Sequence, residues 1–445
     1  MLGFIFVFTL LFLVCTGSLA RPHIGLIGFY GFVLLDPTWN WRWSLPEGVQ
    51  YQKFIFASLL MGLILSGLSF QVQSGISKVG LICISVFYAL CLIAASGTVA
   101  PVPTEFFMGV IWKQLLVLAI AILIIDTPEK IKAFLVAAVL AQGYNAFQIN
   151  LEYFQTGFSR FAYRPWGSTG ADNNGYSIIT IPLMLTAVSL GFFEKKLWKR
   201  LLFFGIALLQ VHQIMLMQSR GCMLAGIFSI GIAVWYMPKI NGNIRWVLGA
   251  ALVATVLAGP SVVEEFSSSF AGEEERDSSA ESRFHLWRAG WRITMDYPIS
   301  GVGPNAARVL VPDPQYYEGG LEQSNKALHN LFFDVSTGVG IPGFLVYMFL
   351  YIAPCWYCFR SYRPRLPGQP LEPFRLSVFT GIVGYLVASF FSSGLLFESC
   401  YILVAVGFCI SNIDAKQQSQ GSPFFQASQR GSQFVRSSDC TPAAS

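Results

Sequence analysis

The sequence predicts an all-α polytopic membrane protein of about 12–13 transmembrane helices, with one long outer-face loop carrying short amphipathic helices. Two observations predict it. Hydrophobic residues make up 54% of the 445 positions and charged residues only 12%, against about 25% charged in an average soluble domain. Apolar runs of roughly 18–22 residues also recur along the chain, the length at which a helix crosses a bilayer with its backbone satisfied.

The apolar segments fall near residues 2–19, 22–35, 54–70, 79–99, 106–125, 131–149, 174–193, 201–218, 221–237, 246–263, 329–358, 376–392 and 396–411. The first two are short, which leaves the count at twelve or thirteen. The first 20 residues lack the basic start of a signal peptide, so they read as an uncleaved span. Basic connectors set the orientation: EKKLWKR at 194–200, Lys239 with Arg245, and RSYRPR at 360–365 belong on the cytoplasmic side. Alternation then gathers the 150–173 loop, the turn at Arg220 and the 264–328 loop on the outer face. The chain divides into N-terminal helices (1–199, with the outer loop 150–173), a core (200–360, with the outer loop 264–328), C-terminal helices (361–411), and a tail (412–445) rich in Gln and Ser that reads as disordered and cytoplasmic. None of the nine cysteines falls in the 264–328 loop, and CWYC at 355–358 has no second ligand pair, so neither a disulfide there nor a metal site is expected.

Polar residues on the outer face carry the functional signal. In FQTGFSRFAYRPWGSTGADNNG, Arg164 lies among aromatics and glycines, and Asp172-Asn173-Asn174 reads as an Asx cap on the next helix. Residues 201–237 form an apolar run whose one charge is Arg220, in MQSRGCMLAG. A charge at a helix centre costs roughly 2.5–3.5 kcal/mol on insertion scales. Two spans joined by a Ser219-Arg220-Gly221 turn avoid that cost, and an arginine there suits phosphate through its bidentate fork. Cys222 reads as a small core residue rather than a nucleophile.

The 264–328 loop holds eleven acids against six bases, a balance that argues against nucleic acid or anionic lipid as its partner. After a capping-box pattern, Ser278-x-x-Glu281, Phe284, Trp287, Trp291 and Met295 recur on one helical face and His285, Arg288 and Arg292 on another. That pattern predicts an amphipathic helix on the membrane surface, stopping at Asp296-Tyr297-Pro298. Then KALHNLFFDVSTGVGIPGF (326–344) turns from polar to apolar and places His329 at the mouth of the next span. Of the four histidines, His23 falls on the inner side, His212 lies about 12 Å down a helix from Arg220 at 1.5 Å per residue, and His285 sits on a solvated face. His329 is the candidate that remains.

QSRG at 218–221, SRFHLWRAGWRITMDYPISGVGPN at 282–305 and ALHNLFFDVSTGVGIPGF at 327–344 resemble the O-antigen ligase and polymerase superfamily of bacterial envelope glycosyltransferases. RPWGSTGADNNGYS at 164–177 resembles that superfamily's upstream loop, and the N-terminal layout resembles its exosortase-associated O-glycosylation ligases. The resemblance covers about residues 200–350 and 160–180. It implies a polyprenyl-pyrophosphate-linked glycan donor, a lipid, glycan or protein acceptor, membrane lipids as surroundings, and no nucleic acid. It also implies an inner-membrane enzyme whose site faces the periplasm and whose inverting transfer uses no cofactor and no metal. Without a metal, fixed cations must stabilise the leaving pyrophosphate. The resemblance assigns that task to Arg220 and Arg283 with Arg164, gives His329 the acceptor hydroxyl, and puts Asn174, Arg288 and Asn330 in substrate contact.

A polysaccharide polymerase of the same superfamily would share the donor chemistry. A flippase would need repeat symmetry and midplane polar groups, whereas the polar residues here gather at one face. A cysteine transpeptidase would need Cys222. For the orientation, cysteines introduced at Thr169 and Ser324 are expected to react with an impermeant reagent from outside, and one at Gln369 only from inside; labelling of Ser324 from the cytoplasm alone would reverse the assignment.

Overall fold

The computed structural model describes every residue except 69, 159–160, 162–165, 168–170, 240–241, 251, 254–277, 318–325, 365–368 and 421–445, and except the side chains of 278–281. Arg164 and most of the 246–263 segment therefore lie outside the described residues, as do Thr169 and Ser324. Helices account for all the regular structure among the described residues. The longer ones are α1 (Leu2–Ala20), α2 (Pro22–Leu35), α3 (Tyr51–Leu65), α4 (Gly75–Ser96), α5 (Pro101–Ile124), α6 (Pro128–Thr156), α7 (Asn173–Phe193), α8 (Leu197–Leu216), α9 (Arg220–Tyr236), α10 (Ser278–Asp296), α11 (Leu331–Ser361), α12 (Glu372–Ala388) and α13 (Glu398–Ser419). Among the described residues, seven helices are long and apolar enough to cross a membrane, and α2, α3 and α9 are shorter apolar helices. The protein is a multi-pass membrane protein.

Burial sorts the helices. α7 and α13 are buried over most of their length, whereas α1 is mostly exposed. Polar side chains join the inner helices: Thr180 Oγ1 accepts from Gln142 Nε2 at 3.0 Å and from Gln213 Nε2 at 2.8 Å, linking α6, α7 and α8. Interhelical hydrogen bonds of this kind hold helices together in lipid, which supplies no hydrophobic drive between them. His212 is buried and pairs through Nδ1 with Asn150 Oδ1 at 2.5 Å, so it is a helix–helix brace.

The connections separate into two ends. At one, Arg375 joins Asp414 (2.6 Å) and Glu372 (2.5 Å), tying the start of α12 to the end of α13. At the other, α10 and the 297–317 segment form a cap with its own small core of Leu286, Ala289, Ile293, Val302, Ala306 and Val311. Burying each large aliphatic side chain contributes about 1.5–3 kcal/mol. The large aromatics of α10 other than Trp287 face away from the protein, as a helix lying on the membrane surface requires. Phe284, Trp291 and Met295 are exposed, and the protein-facing side is built from Leu286, Ala289, Gly290 and Ile293, whose small members let α10 approach α11. An ideal Cβ on Gly290 would lie 2.9 Å from Phe333, and Thr294 Oγ1 meets Ser336 Oγ at 2.9 Å.

The apolar run after His329 is not one straight span. α11 breaks at Gly340, whose φ of 73° lies in the left-handed region. Val302 N donates to Thr337 O (2.8 Å), Gly303 N to Gly338 O (3.2 Å) and Ile341 N to Pro298 O (2.7 Å). Backbone meets backbone here because Gly301, Gly338 and Gly340 carry no side chain. A Cβ on Gly340 would lie 2.2 Å from Ile299 O. The break leaves a short half-helix, residues 331–339, standing at the cap end with His329 just before it.

Candidate active site

Five segments converge on that half-helix, and each is held by an identifiable contact. Asp172 caps α7 by accepting from Gly175 N at 2.6 Å, as the Asx pattern predicts. Asn173 Nδ2 donates to Met217 O at 3.0 Å, and Ser219 Oγ to Asn174 Oδ1 at 2.7 Å. These bonds fix the α8–α9 turn and with it Arg220, the first residue of α9, which is half-buried. Asn330 caps the half-helix: its Oδ1 accepts from Phe332 N and Phe333 N, and its Nδ2 donates to Phe390 O at 3.0 Å.

The loop between α12 and α13, residues 389–397, is the floor beneath these segments. Ser389 O accepts from Leu331 N at 2.9 Å. Phe390 stacks edge-on to Trp287 of α10 at 4.8 Å. Phe391 lies against Gly221, and Phe397 against Gly175, each so close that a Cβ on the glycine would clash. Tyr385 and Tyr401 anchor the loop by donating to Gly394 O (2.7 Å) and Leu395 O (3.0 Å). Sequence reasoning passed over this loop. Its FFSSG run between two spans, on the face that alternation assigns to the site, was the available signal.

His329 has φ 50°, and Gln218 and Asn305 nearby are also left-handed. Non-glycine residues in this region cost on the order of 1–3 kcal/mol each, so these three positions carry backbone strain. His329 is half-buried, and its imidazole is pushed below the ordinary histidine range. Burial is the main cause; Arg283, Lys326 and Arg308 also disfavour the cation, while Asp172 favours it. The ring is therefore held neutral near pH 7 among positive side chains. Asp172 and Arg283 also lie within electrostatic reach of Cys222. Cys222 itself is buried, its thiol directed to Asn174 O at 3.7 Å.

The sequence-predicted residues divide accordingly. His329 and Arg283 lie within electrostatic reach of each other, and Asn174 holds the Arg220 turn through Ser219. Asn330 is buried, with its amide donor and acceptor both engaged by backbone as a helix cap. Arg288 is exposed, and five residues along a helix turn it about 140° away from Arg283. Arg308, which sequence reasoning did not single out, faces both His329 and Asp334 and is braced by Asn305 Oδ1 at 2.6 Å. Among the described residues, no three His, Cys, Asp or Glu side chains group closely enough to hold a metal ion.

This region coincides with a known family. Residues 205–348 match the family model described as O-antigen ligase. That third of the chain is thus similar to O-antigen ligases. The match spans α8 to the first part of α11, and so takes in Arg220, Arg283, Arg308 and His329. The match supports a membrane glycan ligase- or polymerase-type function. No curated protein matched the chain.

The electrostatics of His329 can be read directly. Because its folded pKa lies below the unfolded value near 6.5, the unfolded chain binds more protons between those two values, and this residue's contribution to stability is lost as pH falls through that window. In histidine-labelled protein followed by NMR, Arg283→Gln is expected to move the His329 midpoint up toward 6.5. Asp172→Asn, which keeps a capping side chain, is expected to move it down. A midpoint unmoved by both changes would separate these groups from the imidazole.

Proposed function

We propose that the protein transfers a glycan from a polyprenyl-pyrophosphate donor to an acceptor hydroxyl at the His329 end of the helix array, and that this end faces the outer side of the cytoplasmic membrane. The observation that carries the reading is the half-buried, neutral-leaning His329 surrounded by Arg283, Arg308 and Lys326 at the mouth of a broken membrane helix. A lipid-borne donor reaches such a mouth from the bilayer, and a polar acceptor from the water.

The residues divide the work by charge. Arg283 and Arg308, with Arg220 on its braced turn, hold the pyrophosphate and stabilise the negative charge that grows as it leaves. Arg164, on the sequence alone, is a further candidate for that task. His329 accepts the proton of the acceptor hydroxyl as its oxygen attacks the anomeric carbon. The carbon–oxygen bond to pyrophosphate breaks on the opposite face, its electron pair leaves with the pyrophosphate, and the anomeric centre inverts. Fixed guanidinium charge takes the place that a divalent cation would otherwise fill. The DNN segment at 172–174 makes exosortase-associated O-glycosylation ligases the narrower expectation within the superfamily.

The test is transfer by purified protein in lipid nanodiscs, with a polyprenyl-pyrophosphate oligosaccharide and separate lipid, glycan and peptide acceptors. Transfer is expected to persist in excess EDTA. Arg220→Lys keeps the charge but loses the fork, so it should be impaired nearly as far as Arg220→Ala. Losing one charge-assisted contact costs about 1.5–3 kcal/mol, roughly 10- to 150-fold. EDTA inhibition reversed by Mg²⁺, or wild-type transfer by a well-folded Arg220→Ala protein, would refute the arginine clamp. Transfer onto a second lipid-linked glycan alone would assign the polymerase branch.

A further inference from the structure

At the end of the helix array opposite His329, a cavity of about 640 Å³ opens where α9 and α11 finish. Three cations line it, Lys239, Arg360 and Arg363, together with Trp235, Tyr236 and Phe359. None of its described lining residues is acidic. The carboxylate just behind it, Glu372, is already engaged, accepting from Arg363 N and from Arg375 Nη1, each at 2.5 Å. The cavity is therefore a net positive site.

Its walls are built before anything enters. Tyr362 is buried, and its hydroxyl donates to Tyr236 O at 2.8 Å, joining the end of α11 to the end of α9. The Tyr236 and Phe359 rings meet edge to face at 5.6 Å. The cations are steadied but keep donors to spare. Lys239 Nζ gives one bond to Val234 O (3.2 Å), Arg363 uses Nη1 on Arg360 O and Tyr362 O, and Arg360 lies over Trp356 at 5.8 Å. A lysine ammonium has three donors and a guanidinium five, and all three side chains are exposed.

We propose that this cavity binds the phosphate headgroup of an anionic membrane lipid. Charge alone would accept any phosphate ester, and two observations favour the lipid. The volume falls in the roughly 300–1,000 Å³ range of small-molecule sites, more than one phosphate fills, and the remainder is walled by aromatic rings. Trp235 is also 76% exposed and Trp356 59% exposed at the same helix ends, the placement of an aromatic belt at the membrane–water boundary. This end carries the basic connectors, which the positive-inside rule assigns to the leaflet where anionic lipids concentrate. The site is separate from the His329 end and does not depend on the reaction proposed there.

The test is native mass spectrometry of the full chain released from nanodiscs of equal phosphatidylglycerol and phosphatidylcholine. Wild type is expected to retain at least one phosphatidylglycerol with a preference of roughly tenfold or more. The combined Lys239→Gln, Arg360→Gln, Arg363→Gln variant is expected to lose that preference, and Lys239→Gln alone, which changes one exposed side chain, to weaken it. Arg42→Gln, which removes an exposed cation at the other end, should leave it unchanged. Equal retention of both lipids by wild type, or undiminished preference in the combined variant, would overturn the proposal. So would displacement of the lipid by millimolar glycerol phosphate, which would mark a site for soluble phosphate esters.

Discussion

The arrangement rests on one backbone contact, the pairing of Val302 and Gly303 with Thr337 and Gly338. Backbones approach this closely only where side chains are missing, and Gly301, Gly338 and Gly340 supply the gaps. The pairing has two consequences. It anchors the cap, with α10 and its small core, to the helix array, and it satisfies carbonyl groups that the break at Gly340 would leave unpaired, which matters because unpaired backbone in or near lipid costs several kcal/mol. With the α10–α11 contacts at Gly290 and Thr294, it sets the cap, and so Arg283, against the half-helix that follows His329.

The rest of the site follows from that break. The half-helix that begins at Leu331 needs a cap, and Asn330 provides it while reaching the 389–397 loop. That loop, secured by Tyr385 and Tyr401, also packs on Gly221 and Gly175. The arginine turn, the Asx-capped α7 and the histidine mouth thus share one floor. Strain at Gln218, Asn305 and His329 is tolerated because the neighbouring contacts over-determine the backbone. The electrostatic result is a histidine biased toward neutrality among cations, with Asp172 as the opposing charge.

Much of this was legible in the sequence. Long apolar runs gave the helices, because lipid leaves the backbone so few choices. Arg220 stood out as the one charge in an apolar run, and His329 as the histidine at a polar-to-apolar switch. Contacts made by small or distant residues were not legible. Pattern reading saw Trp287 and Trp291 on α10 but not that Ala289 and Gly290 make the protein-facing contact. It read the run after Leu331 as one span and gave no weight to Pro342, although the left-handed Gly340 two residues earlier marks a break. The capping role of Asn330 was not legible either, because it depends on the Phe390 carbonyl sixty residues away. Arg308 has no motif of its own, and its relevance comes from the fold that brings it to His329.

The central claim is that His329 is the proton acceptor in glycan transfer, positioned by the broken helix and not needed to hold the donor. Its left-handed backbone makes His329→Asn the suitable variant, since asparagine tolerates that conformation and cannot act as a base. The decisive measurement is the single-turnover transfer rate of purified His329→Asn beside its binding of radiolabelled polyprenyl-pyrophosphate glycan. The account predicts near-normal donor binding with transfer reduced about 10²- to 10⁴-fold, the usual contribution of a positioned general base. Transfer at close to the wild-type rate would contradict it and leave His329 as a helix-start residue.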